Sequence, residues 1–248
     1  MVPHQGQAKR RRRSDGERTH AAILEVATRV ASVEGIHGLT IGRLADALGV
    51  SKSGLYAHFG SKEQLQLQTI AAAEAIFEEE VMRPAREAPA GLARLENLCE
   101  AYLSYVESGV FPGGCFFASL LAEMDARSGP IHDLVAAGER AWQDLIGDLV
   151  REAQRRGEIA LDVGADQLAF QLEACLELAN YHFVLFGDPQ VLTLARRTIS
   201  TTLERVGGRR RRRPARPTPA TERQVSGTGS APGAASTNRR PGRTTAEP

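Results

Sequence analysis

Residues 49–65 read GVSKSGLYAHFGSKEQL, and they concentrate three serines, two lysines, a tyrosine and a histidine. Three chemistries are open to such a set. A glycine-rich loop can cradle phosphate, a serine or histidine can take part in catalysis, and a row of cations and hydroxyls can lie against a polyanion. The phosphate loop fails on spacing. The G-x-x-x-x-G-K-[ST] pattern is not met, because five residues separate Gly54 from Gly60 and Ser61 stands before Lys62. Catalysis finds no support elsewhere in the chain. There is no G-x-S-x-G, no HExxH, no EF-hand loop and no recognisable set of nucleophile, base and orienting group, so no enzyme is expected. Metal chemistry fares no better. Cys99, Cys115 and Cys175 form no CxxC pair. Cys175 and His182 are seven apart on one helical face, yet two ligands without a third are not a site. Neither a metal nor a cofactor is expected. An odd number of widely spaced cysteines gives no disulfide framework, and free thiols in a reducing cytoplasm fit.

The polyanion reading requires elements that present these side chains outward. Residues 40–65, TIGRLADALGVSKSGLYAHFGSKEQL, contain two short helical stretches either side of Gly49-Val50. Thr40 can cap the first and Ser51 the second. Leu44, Leu48, Val50 and Leu55 are expected to face inward together, with Ala45 small at the crossing, and Gly49 can take the left-handed backbone of a sharp turn. This is a helix-turn-helix pattern, whose second helix enters a DNA major groove. Lys52, Ser53 and Gly54 fall on the first turn of that helix, where base edges are reached. Tyr56, His58 and Lys62 lie beyond it, suited to phosphate, and Thr40, Arg43 and Ser51 join the DNA-contact set. Ser61 and Gln64 open the next helix with capping-box spacing, and its N-terminus offers a further phosphate site.

The pieces ILEVA, Gly35, LTIGRLADALGVS, LYAHF and SKEQL occur in an order and spacing that resemble the tetracycline-repressor (TetR/AcrR) family of bacterial transcription regulators, from about Arg18 to Leu65. One departure is visible. The family often carries glycine two residues after the Ser51 equivalent, whereas here Ser53 stands there and Gly54 follows, so base contacts are expected from Lys52 and Ser53 ahead of Gly54. The resemblance implies a variable C-terminal helical domain that binds a small molecule and dimerises through its last two long helices.

The rest of the chain fits that outline. RTHAAILEVATRVASVEG places Ile23, Val26, Ala27, Val30 and Val33 at helical steps. A helix over 61–83 is expected to end before Pro84, followed by helices near 89–108, 113–125, 130–157, 164–187 and 189–206, with Gly or Pro at the breaks. No long period-two alternation occurs, so the fold class is all-α, with about nine helices. The organisation is a basic disordered arm (1–16), a helix-turn-helix domain (17–65), a helical ligand-binding and dimerisation domain (66–206) and an arginine-rich disordered tail (207–248). The net charge of +1 hides an asymmetry, with +4 over 1–16, +8 over 207–248 and −12 over 63–206. Only the first quarter and the tails suit nucleic acid. The acidic excess of the second domain is read as solvated helix faces.

Within that second domain, Tyr102, Tyr105, Trp142 and His182 each join an apolar body to a polar tip and are the candidate ligand contacts. Leu172, Cys175 and Phe183 on one late helix, and Leu192, Ile199 and Leu203 on the other, are the candidate dimer interface. Nothing approaches a membrane-spanning apolar run, so no membrane partner and a cytoplasmic location are expected. The function expected is a homodimeric regulator of double-stranded DNA at a palindromic operator, a repressor released by a small apolar effector. An effector-independent DNA-binding scaffold that uses its arginine tails is the alternative.

Overall fold

The computed structural model describes residues 5–207, with side chains from Gly16 onward. The elements are α1 (Gln5–Glu34), α2 (Ile41–Leu48), α3 (Lys52–Phe59), α4 (Lys62–Phe77), a π-helical turn (Glu78–Met82), α5 (Arg83–Glu87), α6 (Leu92–Ser108), α7 (Phe116–Met124), α8 (Pro130–Arg155), α9 (Ala165–Phe186) and α10 (Gln190–Val206). Counting α4, the π turn and α5 as one rod, the described residues form nine helices. A single isolated bridge, Ile159 to Gly207, is the only extended pairing among them.

Two expectations are corrected here. The first helix runs back to Gln5, so residues 5–16 continue it and are not a disordered arm. The Lys9–Arg13 run and its Ala and Gln neighbours are good helix formers, and the exposed Gly16 costs only about 1 kcal/mol against alanine, too little to stop a long helix. The helix from Lys62 does not end before Pro84. Proline removes one donor and clashes with the carbonyl four residues back. The π turn widens the helix just ahead of it, with Arg83 N–H bonding the Glu78 carbonyl five residues earlier, and the rod passes through to Glu87. The tail, apart from Gly207, lies outside the described residues.

The α1 stripe buries Ile23, Ala27 and Ala31, half-buries Val26 and Val30, and leaves Val33 exposed. Leu44, Ala45, Leu55, Phe59 and Leu65 complete a small core where α1 to α4 meet. α6 lies at the centre of the second domain, with Leu95, Leu98, Tyr102, Leu103, Tyr105 and Val106 all buried. It packs against the α4–α5 rod, α8, α9 and α10.

Candidate nucleic-acid interface and ligand cavity

The helix-turn-helix is built from local caps. The Thr40 hydroxyl accepts from Arg43 N–H at 3.0 Å, and the Ser51 hydroxyl accepts from Gly54 N–H at 3.2 Å. Gly49 closes α2 at φ 66°, the left-handed conformation that glycine adopts without penalty. These caps fix α3 so that only Leu55 and Phe59 are buried, while Ser51, Lys52, Ser53, Gly54, Tyr56 and His58 are exposed along one run. A Cβ at Gly54 would sit 3.2 Å from the Ser51 hydroxyl, so the glycine leaves room for the cap. The Lys52 side chain lies over Gly42 of α2. Val50, expected inside, is half exposed, because the turn itself faces solvent.

Arg43 has a structural task that the sequence reading did not assign. Its guanidinium forks onto both Glu34 carboxylate oxygens and ties the end of α1 to α2, and this bond holds the Glu34 carboxyl below its usual pKa. The guanidinium is engaged by Glu34 through Nε and Nη2 and keeps its remaining N–H donors for a second acceptor. His58 stacks near His20, whose ring is 5.0 Å from Phe59 and whose Nε2 meets Gln68 Oε1 at 2.8 Å.

The turn between α1 and α2 is held entirely by side chains from elsewhere. Glu123, on α7, accepts Ile36 N–H at 2.7 Å and His37 N–H at 2.8 Å. Gln66 Nε2 donates to the Ile36 carbonyl at 2.6 Å, and Lys62 Nζ donates to the His37 carbonyl at 2.7 Å. All four main-chain groups of Ile36 and His37 are thus paired, three side chains doing what a helix would otherwise do. An ammonium carries three donors, so Lys62 keeps hydrogens for a second acceptor. Gly35 has φ 77°, and a Cβ there would stand 2.7 Å from Glu123 Oε2.

On its other side α7 borders a cavity of about 280 Å³ between the α4 rod, α6, α8 and α9. Phe77 lines it, edge-on to Tyr102, Phe117 and Trp142 with ring centroids 6.5, 5.6 and 5.6 Å away. Of the expected ligand contacts, Tyr102 and Trp142 line this space. Tyr105 and His182 do not. Tyr105 is buried against Phe77 and Phe111, with its oxygen 3.4 Å from Phe116 N–H, and His182 packs on Phe186 at 5.2 Å. Aromatic residues with polar tips serve as core as readily as they serve ligands, and type alone does not separate the two. The lining also contains Glu74, Glu78, Glu139 and Glu177, which the reading of acidic residues as solvated faces overlooked. Burial pushes the Cys115 thiol up to about 11 and raises Tyr102 well above its ordinary value, so both stay neutral.

The family described as "Bacterial regulatory proteins, tetR family" matches residues 23–69, and "Tetracyclin repressor-like, C-terminal domain" matches residues 91–199. The chain belongs to the TetR family of transcriptional regulators. It is a DNA-binding regulator by fold and family. Comparison with curated proteins gives no match. Among solved structures, a TetR transcriptional regulator from Chloroflexus aurantiacus J-10-FL is 26% identical, with a TM-score of 0.72 over 78% of this chain and 98% of that one. AibR in complex with isovaleryl coenzyme A and operator DNA is 22% identical, with a TM-score of 0.60 over 73% and 96%. A transcriptional regulator from Saccharomonospora viridis in complex with choline is 23% identical, with a TM-score of 0.60 over 77% and 98%. The last two show a shared fold.

The TetR framework sharpens one more correction. Leu172, Leu192, Ile199 and Leu203, expected at a dimer interface, are buried within the chain itself, and Cys175 and Phe183 are half-buried. An apolar stripe declares that a face is covered without declaring by what. The apolar side chains left exposed on α9 are Phe170, Leu178, Tyr181, Val184, Leu185 and Phe186, with Leu194 on α10. Positions 170, 174, 178, 181 and 185 recur at steps of four, four, three and four, so a second stripe was present in the sequence beside the first.

Proposed function

We propose that the protein is a homodimeric repressor that a small ligand in the α4–α9 cavity releases from a palindromic operator. Two copies pair through the exposed apolar faces of α9 and α10. Each places α3 in a major groove, with the two helices about 34–36 Å apart. Lys52 and Ser53 read base edges, while Tyr56, His58 and Lys62 hold phosphate, and the extension of α1 carrying Lys9–Arg13 adds salt-dependent affinity.

One observation carries the release step. α7 borders the cavity through Phe117, Leu120 and Leu121, and through Glu123 it grips the backbone ahead of α2. A ligand that favours one position of α7 therefore favours one position of the DNA-reading unit, which is the differential interaction that any effector needs. α4 supplies a second route, since it starts at Lys62 beside the turn and reaches the cavity at Phe77. That AibR is known with operator DNA and isovaleryl coenzyme A, and the Saccharomonospora viridis regulator with choline, supports both kinds of partner for this fold.

The test is selection of bound fragments from a random DNA library with the full chain. An inverted repeat with half-sites one helical turn apart is expected. Binding to random DNA within about three-fold of the best fragment would instead favour the effector-independent scaffold, because phosphate contacts alone carry no sequence information.

A further inference from the structure

The cavity is aromatic and acidic at once, and its charges are unequal. No basic residue lines it among the described residues. Glu78 is neutralised by Arg86, with which it pairs outside the cavity. Glu139 receives Gln143 Nε2 at 3.0 Å. Glu177 is different. Its Oε1 accepts the Tyr102 hydroxyl at 3.0 Å, while its Oε2 is buried with no hydrogen-bond partner. Tyr181 lies beside the same carboxylate and within 3.2 Å of the Ala118 carbonyl, and its single proton can serve only one of these two acceptors. A buried carboxylate oxygen without a donor is costly unless something else supplies one.

The surroundings state what that something should be. An anion would meet a wall with Glu74, Glu139 and Glu177 and, among the described residues, no basic residue to receive it. A neutral apolar molecule would leave the Oε2 oxygen unpaired. A cation would meet Glu177 and two lining aromatic rings, Tyr102 and Trp142, whose centroids are 6.1 Å apart at a tilt of 31°, and aromatic rings attract cations electrostatically. Phe77 and Phe117 supply apolar contact for whatever carries the charge.

We propose that the cavity takes an organic monocation, a protonated amine on an apolar body, with Glu177 as its counter-ion; this rests on reading the cavity as the effector site. The ammonium donates to Glu177 Oε2 and lies against Tyr102 and Trp142, while the apolar body fills the space around Phe77. Burial, with Glu139 adding to it, raises the Glu177 pKa, and a seated cation draws it down again.

Trp142 is the single tryptophan, so its emission reports occupancy directly. The full chain is titrated at neutral pH with 4-phenylbutylamine, 4-phenylbutanol and 4-phenylbutyrate, which share one body and differ in charge. The amine is expected to bind at least about ten-fold tighter than the alcohol, the margin a charge-assisted hydrogen bond gives, and the acid is expected not to bind. Glu177→Gln should erase the amine's advantage and leave the alcohol where it was. Equal affinity for amine and alcohol in the unaltered chain overturns the proposal, as does a Glu177→Gln protein that keeps the ten-fold margin. The first comparison needs no variant, so a misfolded Glu177→Gln leaves the test intact. Adding the same probes to the protein bound to its selected DNA separates the two readings. An amine that quenches Trp142 without releasing DNA sinks the effector role and keeps the cation site. Release by the alcohol as readily as by the amine keeps the effector role and sinks the cation site.

Discussion

The helix-turn-helix end works by what it leaves exposed, and the cavity by what it hides. Around α3 the core takes only Leu55 and Phe59, and every other side chain of the helix is available to a partner. Around Phe77 the reverse holds, and a carboxylate lies inside with one oxygen unpaired. An exposed site tolerates charge because water screens it until a partner arrives. A hidden one keeps its charge uncompensated, so a ligand of the right sign gains more there than it would at a surface. The difference teaches that both ends rest on apolar cores but offer themselves differently, one by side chains that capped helices hold outward, the other by groups enclosed between helices.

Four substitutions test that contrast, in descending order of effect. Leu203→Asp places an unpaired charge in the α10 core and should cost about 3–5 kcal/mol, enough to lose cooperative unfolding in a denaturant melt. The contrasting change Leu178→Glu, on the exposed α9 stripe, should leave the melt nearly unchanged and give a monomer by sedimentation. If the two variants behaved alike, the division between in-chain core and partner-facing stripe would be wrong. Glu173→Gln comes next. Glu173 is buried on α9, and burial with the neighbouring Glu139 pushes its carboxyl up to about 8. A raised carboxyl pKa contributes stability that is complete below the unfolded value near 4.5 and is lost as pH rises through the folded value. Glutamine has no charge to acquire, so the variant should melt higher than the parent at pH 8 to 9 and show a flatter profile between pH 5 and 9. The opposing groups are Glu139 and Glu177, with Gln143 working against the shift. The smallest effect belongs to Glu123→Gln, which joins the two regions. The amide can accept one of the two backbone N–H bonds and must turn a donor toward the other. Fold and operator choice should survive, while ligand-driven DNA release should weaken by roughly five-fold, about 1 kcal/mol of coupling, in a titration of labelled DNA. Full release in this variant would move the coupling to α4 alone.

Much of the first region was legible because its determinants are neighbours. Thr40, Gly49, Ser51 and Ser61 act on groups within a few residues, so residue type and spacing contain the geometry. The helix ends of α6 to α10 fall within three residues of expectation for the same reason, since Gly and Pro punctuate locally. The cavity was only half legible. Its walls come from residues as far apart as Ile70 and Glu177, and which aromatic or acidic side chain turns inward is decided by helix packing that no local pattern records. Tyr102 and Trp142 met that test; Tyr105 and His182, of the same types, did not. Pro84 misled because a proline inside a helix has two outcomes, an end or a bulge, and the choice rests on tertiary contacts.

Glu123 grips main-chain groups, and every residue but proline has both of those. The grip itself is therefore indifferent to side-chain type at positions 36 and 37, although Ile36 answers to the core in which it is buried and His37 sets its Nδ1 3.0 Å from Glu123 Oε1; Gly35 must stay small enough to admit the carboxylate. In evolutionary terms the joint works like a standard fitting. The DNA-reading end can drift toward new operators and the cavity toward new ligands, each at its own pace, while selection guards the few groups of the seam: Gly35 and the buried Ile36 on one side, Glu123, Gln66 and Lys62 on the other.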